Sequence, residues 1–249
     1  MSGSLKPTPG LTCPLAQSDL VKAHRTYNES GYLRERSAAV AQYVLDRLGP
    51  IFTKNGAQDT FGVTLMYQHC KLDPDHVMCA EPRESAEGGC WTRKMAMGDI
   101  DLAQTCGKCF KVDENGELVA YKLSTGQVSL STVDHSAFVQ EFAEFVAQIG
   151  AADLFGLQLL DEQPRPSIGV DFEDIGTVLI PECATSSTFM SGLNMLATGW
   201  MFEVDAMGDS ECHQLSRVPS ATFSHKDLAS VEGLMQEDVY GLVHRLLDK

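Results

Sequence analysis

A single strong helical stripe set among short strand-like runs constrains the fold of this chain more than any other feature. Phe138, Phe142, Phe145 and Ile149 recur at helical spacing, with Val139 and Val146 beside them. Asp134 suits the N-cap of this helix and Gly150 its stop. On either side the chain breaks into runs of β-branched and aromatic residues cut by turns. Before the helix come Phe61–His69, His76–Glu81 and Cys90–Met97; after it come Phe155–Leu160, Ile168–Phe172 and Thr177–Ile180. The last three are separated by turns at Gln163–Pro166 and Asp174–Gly176. Asn115-Gly116 lies between Phe110–Val112 and Leu118–Leu123, a strong short-range hairpin signal, and Gln127–Leu130 adds one more strand. Met195–Val204 fits helix or strand. Strands and helices do not alternate regularly. The predicted fold class is therefore α+β: a mixed or antiparallel sheet with a few packed helices in a single domain.

Two further helices are expected. One runs near Arg34–Leu48, where Val40, Val44 and Leu48 recur every fourth residue, and Gly49-Pro50 ends it. The other follows Ser224, which with Asp227 resembles a capping box, and carries an apolar face through Leu228, Val231, Leu234, Met235, Leu242 and Leu246. Leu72–Asp75 reads as a turn returning His76–Glu81 antiparallel to Phe61–His69. Residues 1–17, rich in Pro, Gly, Ser and Thr, are expected to lie extended on the surface, leaving residues 18–249 as the α+β domain.

The formal charge of −15 disfavours contact with phosphate backbones, so no nucleic-acid partner is expected. No apolar run approaches the roughly 18 residues of a membrane helix, and no membrane partner is expected. The N-terminus carries neither a secretory pattern nor an Arg-rich amphipathic one, which makes the cytoplasm the default compartment. In that setting the eight cysteines read as reduced thiols, some of them metal ligands.

Cys106-Gly-Lys-Cys109 is the sharpest local motif. Two thiolates separated by two residues can reach one ion from a tight knuckle, Gly107 permits the turn, and Lys108 favours thiolate formation. There is no second CxxC. The remaining zinc ligands are sought among Cys90, Cys183, Cys212, His213, and the pair His76 and Cys79; Cys90 and Cys212 rank first because they lie in polar stretches. The expected cofactor is Zn2+. A thiol redox pair is the other functional reading, but the motif precedes a hairpin and does not open a helix after a strand.

None of the seven histidines forms an H-x-x-x-H or H-E-x-x-H pair. His69 ends one apolar run and His76 begins the next, so both are expected at the mouth of a hairpin as base, acid or ligand. Glu81, at a strand end, is the candidate general base. His135, in the first turn of the Phe138 helix, is expected neutral. No G-x-S-x-G, P-loop or G-x-G-x-x-G is present.

Two segments, Phe61–Glu81 (FGVTLMYQHCKLDPDHVMCAE) and Phe142–Leu160 (FAEFVAQIGAADLFGLQLL), resemble the fungal cyclopenases, a hemocyanin-like group. That resemblance implies a zinc-dependent lyase of quinolone alkaloid biosynthesis in fungal secondary metabolism. Such an enzyme contracts a cyclopenin-type benzodiazepinedione to a viridicatin-type quinolone with loss of methyl isocyanate. His69 alone carries over by position; Tyr67 stands where related chains often have His, and His76 where they often have Glu. The expected partner is a small aromatic alkaloid substrate. For such a lyase, Cys106, Cys109 and one more protein group, with Cys90 and Cys212 ranked first, would hold zinc and leave a fourth position open, and His69, Glu81 or His76 would move the proton. Phe61, Met66, Trp91, Met95, Trp200 and Phe202 are candidates to hold flat rings. The alternatives are a non-catalytic binding module with a closed structural zinc site, and a CxxC redox protein using Cys106.

Overall fold

The computed structural model describes residues 7–31, 42–82, 89–126, 131–161, 164–172, 176–184 and 194–219. Its strands are β1 (Phe61–Leu65), β2 (His76–Pro82), β3 (Cys90–Ala96), β4 (Thr105–Val112), β5 (Leu118–Thr125), β6 (Phe155–Leu159), β7 (Ser167–Phe172), β8 (Gly176–Pro181), β9 (Met195–Val204) and β10 (Ser210–Pro219). They form one closed barrel in the order β1-β6-β4-β5-β2-β3-β8-β7-β10-β9, and the β1–β9 pairing closes the ring. The ladder is antiparallel except at β2–β5 and β7–β10. The three α-helices among the described residues are α1 (Gln17–Asn28), α2 (Gln42–Lys54) and α3 (Ser136–Gln148).

This overturns the expected α+β class. The chain is a closed, mixed β-barrel, and its helices dress the outside of it. Two elements account for the difference. β10, the polar run Ser210–Pro219, gives no apolar alternation and was not expected at all; β9 fitted either helix or strand. Together they form a long antiparallel ladder that joins β7 to β1 and leaves no free edge. The expected β1–β2 hairpin is also absent. β1 stops at Leu65 and pairs with β6 and β9, while β2 pairs with β3 and β5. Residues 66–75 form the connection between them. Met66 N–H donates to Leu154 O at 2.8 Å, and Gln68 N–H donates to Gly31 O at 3.0 Å.

Other local readings hold. The β4–β5 hairpin turns through Asp113, whose Oδ1 accepts from the backbone of Asn115 (2.9 Å) and Glu117 (2.8 Å). α3 begins one residue later than expected, with His135 and not Asp134 at the N-cap, although Asp134 Oδ1 still accepts from Ser136 N–H (2.9 Å); it stops before Gly150, at φ 68°. Phe138, Phe142 and Phe145 are buried as the stripe predicts.

α2 does not end at Gly49-Pro50 but continues to Lys54. Proline inside a helix costs roughly 3 kcal/mol. Leu48, Ile51 and Phe52 are all buried, and each contributes about 1.5–3 kcal/mol, so burial outweighs that cost. Gly49 serves packing here: a Cβ on it would lie 2.6 Å from Ser210 Oγ on β10. The first part of the expected Arg34–Leu48 helix (34–41), the Gln127–Leu130 strand and the helix after Ser224 lie outside the described residues. The N-terminal segment is not wholly superficial, since Leu11 and Leu15 are buried in the core.

The main apolar core lies between the helices and the barrel wall. Phe52 of α2 meets Phe138 of α3 edge-on at 4.8 Å and Phe202 of β9 at 4.7 Å, and Phe61 of β1 stacks on Phe138 at 5.5 Å. A smaller cluster gathers Tyr27 of α1 with Met66, Leu72, Met78, Cys109 and Tyr121. Ile168, Val170, Phe172, Val178 and Ile180 of β7 and β8 are buried as well, outside these two clusters.

Candidate functional site

A cavity of about 400 Å³ occupies the barrel, within the range of small-molecule sites. Its lining mixes Leu160, Leu179, Leu215 and Val218 with the hydroxyls of Thr64, Ser124, Thr198 and Ser216. Lys108 and Asp161, paired at 2.7 Å, also line it, and the Asp161 side chain is 80% exposed, so this part of the cavity reaches solvent.

Three ionisable side chains converge away from that opening: His69, Asp171 and Lys122. His69 follows β1, and its main-chain N–H donates to Tyr27 Oη at 3.0 Å, which ties its position to α1. His69 Nδ1 lies 2.9 Å from Asp171 Oδ1 of β7. Thr177 of β8 donates to the same carboxylate oxygen at 2.7 Å. On the other side of the ring, Lys122 Nζ of β5 lies 3.5 Å from His69 Nε2. The Tyr67 ring meets His69 edge-on at 4.6 Å and lies beneath Lys122 Nζ at 4.8 Å.

These contacts assign the imidazole tautomer. Asp171 can only accept at neutral pH. Thr177 has one hydroxyl hydrogen and gives it to Asp171, so its oxygen, 3.1 Å from Nδ1, also accepts. Both neighbours of Nδ1 call for a hydrogen there. Nε2 is then the basic nitrogen, with the Lys122 Nζ at 3.5 Å and the Thr177 oxygen at 3.3 Å. A carboxylate holding one ring nitrogen while the other faces a reacting group is the usual arrangement of a general base.

The electrostatics are balanced. Burial acts to raise the Asp171 pKa, but the charge of His69, the hydrogen bonds from His69 and Thr177, and the Lys122 ammonium together hold it below the usual carboxylate value. Burial pulls Lys122 below the ordinary lysine value, against the opposing pull of Cys109, Asp171 and Cys70. Tyr67 is driven well up by burial and by Asp171, so it stays a neutral phenol. Asp171 thus stands on the Nδ1 side of the His69 ring and Lys122 on its Nε2 side.

Of the three expected proton-moving residues, only His69 lines the cavity. Glu81 is engaged by Arg93 at 2.7 and 3.2 Å. His76 Nδ1 sits 2.7 Å from Asp75 Oδ1 at the start of β2, and its carbonyl accepts from His24 Nδ1 at 2.9 Å. It does not line the cavity that His69 borders.

The expected zinc ligands are not gathered. Cys109 and Cys90 line the cavity, Cys106 directs its thiol at Ser124 O (3.8 Å), and Cys212 packs on the outer core with Asp46 of α2 as the charge beside it. The CxxC is not a free knuckle: it lies within β4, with register shifts about Cys109 where the strand pairs with β5. Burial raises the pKa of Cys106 and Cys109 and pushes Cys90 and Cys212 up to about 11. Lys108 does pull Cys106 down, as its neighbourhood suggests, but burial outweighs it. Among the described residues no group of three or more His, Cys, Asp and Glu side chains is arranged to hold a metal ion. The described residues therefore do not fit the four-cysteine zinc centre.

None of the aromatic and Met residues expected to hold a ligand lines the cavity; Phe61, Trp200 and Phe202 serve the outer core and Met66 the smaller cluster. His135 has its pKa lowered, with burial and not the helix terminus as the main cause.

Asp171, Thr177 and Lys122 were missed. The signal available was an acid inside the apolar run Ile168–Phe172 and a lysine inside Leu118–Leu123, since charges are rarely buried without a partner. Among the described residues no helix is long and apolar enough to cross a membrane. No protein-family model matches the chain, and neither a curated protein nor a solved structure was found similar to it.

Proposed function

We propose that the protein is an enzyme that binds a small carbonyl-bearing organic molecule inside its barrel and moves a proton on it, with His69 Nε2 as general base. The observation that supports this is the His69–Asp171 pair, at 2.9 Å, buried beside a ligand-sized cavity that reaches solvent elsewhere. Asp171 orients the ring and stabilises the imidazolium that forms when Nε2 takes a proton. The apolar wall of Leu179, Leu215 and Val218 supplies non-directional binding, and the Thr198 and Ser216 hydroxyls, which share one hydrogen bond at 3.0 Å, leave one hydroxyl hydrogen for a ligand oxygen. No step here runs through a metal.

The benzodiazepinedione lyase reaction implied by the resemblance to cyclopenases is one case of this class, and cyclopenin is the first specific probe. A panel of ketones and cyclopenin, incubated with the full chain in deuterated buffer, tests the wider reading by exchange of hydrogens next to the carbonyl. His69→Gln and Asp171→Asn are expected to lower exchange or turnover by roughly 10²–10⁴-fold. Equal rates in wild type and both variants would overturn the reading.

A further inference from the structure

We propose that Lys122 is a covalent amine catalyst, activated by His69, that forms a protonated imine with an aldehyde or ketone ligand in the barrel. The proposal rests on the reading of the cavity as a site for a carbonyl-bearing molecule.

The geometry assigns Lys122 more than a charge-balancing role. Its Nζ lies 3.5 Å from His69 Nε2, the nitrogen left basic by Asp171 and Thr177. It borders the cavity, and among the described residues no carboxylate lies within ion-pair distance of it. A lysine kept only for charge would face Asp171 directly. This one faces a base, which is how an activated nucleophile is recognised: nucleophile, base and orienting acid in series. Lys122 thus stands where a triad places its nucleophile, and burial further favours the uncharged amine. The Tyr67 ring beneath Nζ, at 4.8 Å, stabilises the cationic forms at the start and end of the sequence.

The step balances without any added reagent. His69 Nε2 takes one proton from the Lys122 ammonium. The free amine adds to the carbonyl carbon, forming the C–N bond, and the carbonyl π pair moves to oxygen. A proton passing from nitrogen to oxygen gives the carbinolamine. His69 returns its proton to the hydroxyl, water leaves, and the nitrogen lone pair forms the C=N bond. The sum is ammonium plus carbonyl giving protonated imine plus water. The imine then acidifies the neighbouring C–H, and His69 Nε2, neutral again, is placed to remove that hydrogen.

The test uses the full chain with an aromatic aldehyde and sodium cyanoborohydride, which reduces the imine to a stable secondary amine. Peptide mapping by mass spectrometry then locates the adduct. The expected result is one adduct, on Lys122, formed at least tenfold faster than on any other lysine, and lost in Lys122→Met. His69→Gln should slow trapping at Lys122 by a factor of ten or more. Adducts spread evenly over surface lysines would overturn the proposal, and mapping of wild type gives this result even if Lys122→Met fails to fold. The two readings separate cleanly. Hydrogen exchange that survives in folded Lys122→Met but not in His69→Gln overturns the covalent role and keeps the base. Trapping at Lys122 with no exchange on any ketone keeps the covalent role and overturns the base.

Discussion

Replacing Asp171 by alanine is the sharpest probe of the buried pair. The Asp171 side chain is 10% exposed and that of His69 6%, so both are largely withdrawn from bulk solvent. The change removes the acceptor of His69 Nδ1–H and of the Thr177 hydroxyl, and leaves the Lys122 cation without its nearest described anion. Removing one member of a buried pair costs about 3–5 kcal/mol. The adjoining cavity lets water reach the orphaned groups, so the lower end, about 3 kcal/mol, is expected. For a chain of this size that corresponds to a melting temperature lower by roughly 6–12 °C. Urea titration of Asp171→Ala, His69→Ala and the double variant gives the coupling, which should exceed about 1.5 kcal/mol. The pH dependence has a definite sign. Asp171 has its pKa lowered in the fold from 3.8, so its contribution is present above that value and is lost as pH falls through the folded pKa. The gap between wild type and Asp171→Ala should therefore be full at neutral pH and narrow below about pH 4. Two results would refute the reasoning: single effects that add within roughly 0.5 kcal/mol, or a gap that widens in acid.

Other outcomes follow from the same geometry. Gly176→Ala places a Cβ 2.1 Å from the Thr92 carbonyl oxygen at φ +100°, and should destabilise by more than about 3 kcal/mol in urea titration. Phe142→Ala, at a fully buried site of the α3 stripe, should cost about 3–5 kcal/mol by the same assay. Alkylation of the native chain at neutral pH should reach the exposed Cys183 well before buried Cys79, whose thiol is pushed up to about 12, or Cys109; selective labelling of Cys106 would instead restore the redox reading. Because the four expected cysteine ligands are dispersed, treatment with a chelator should leave the melting temperature of wild type and of Cys106→Ser, Cys109→Ser alike; a drop of several degrees in wild type alone would show that the pair does hold metal.

Local chemistry was legible wherever the deciding interactions lie within a few residues. The Asp113–Glu117 turn, the Phe138–Phe145 stripe and the short strands around them depend on neighbours in the chain, and they form where the pattern places them. Gly49-Pro50 was misread because local propensity stops a helix there, whereas the fit of Gly49 against Ser210 and the burial of Ile51 and Phe52 carry α2 onward. His69 was legible as a candidate, but its meaning was not. Its partners Lys122 and Thr177 stand 53 and 108 positions away.

By itself, then, the sequence determined the β4–β5 turn, the α3 stripe and most of the shorter strands, while it left β9 open, missed β10 and carried the first strand on to His69, beyond its end at Leu65. Only the tertiary structure decided that the strands close into a ring and that Asp171, Thr177 and Lys122 meet His69 inside it. The physical reason is that hairpins and helices are specified by bonds between near neighbours. Closure depends on the pairing of β1 with β9 across the whole chain, and that pairing is favourable only once every intervening strand has found its register.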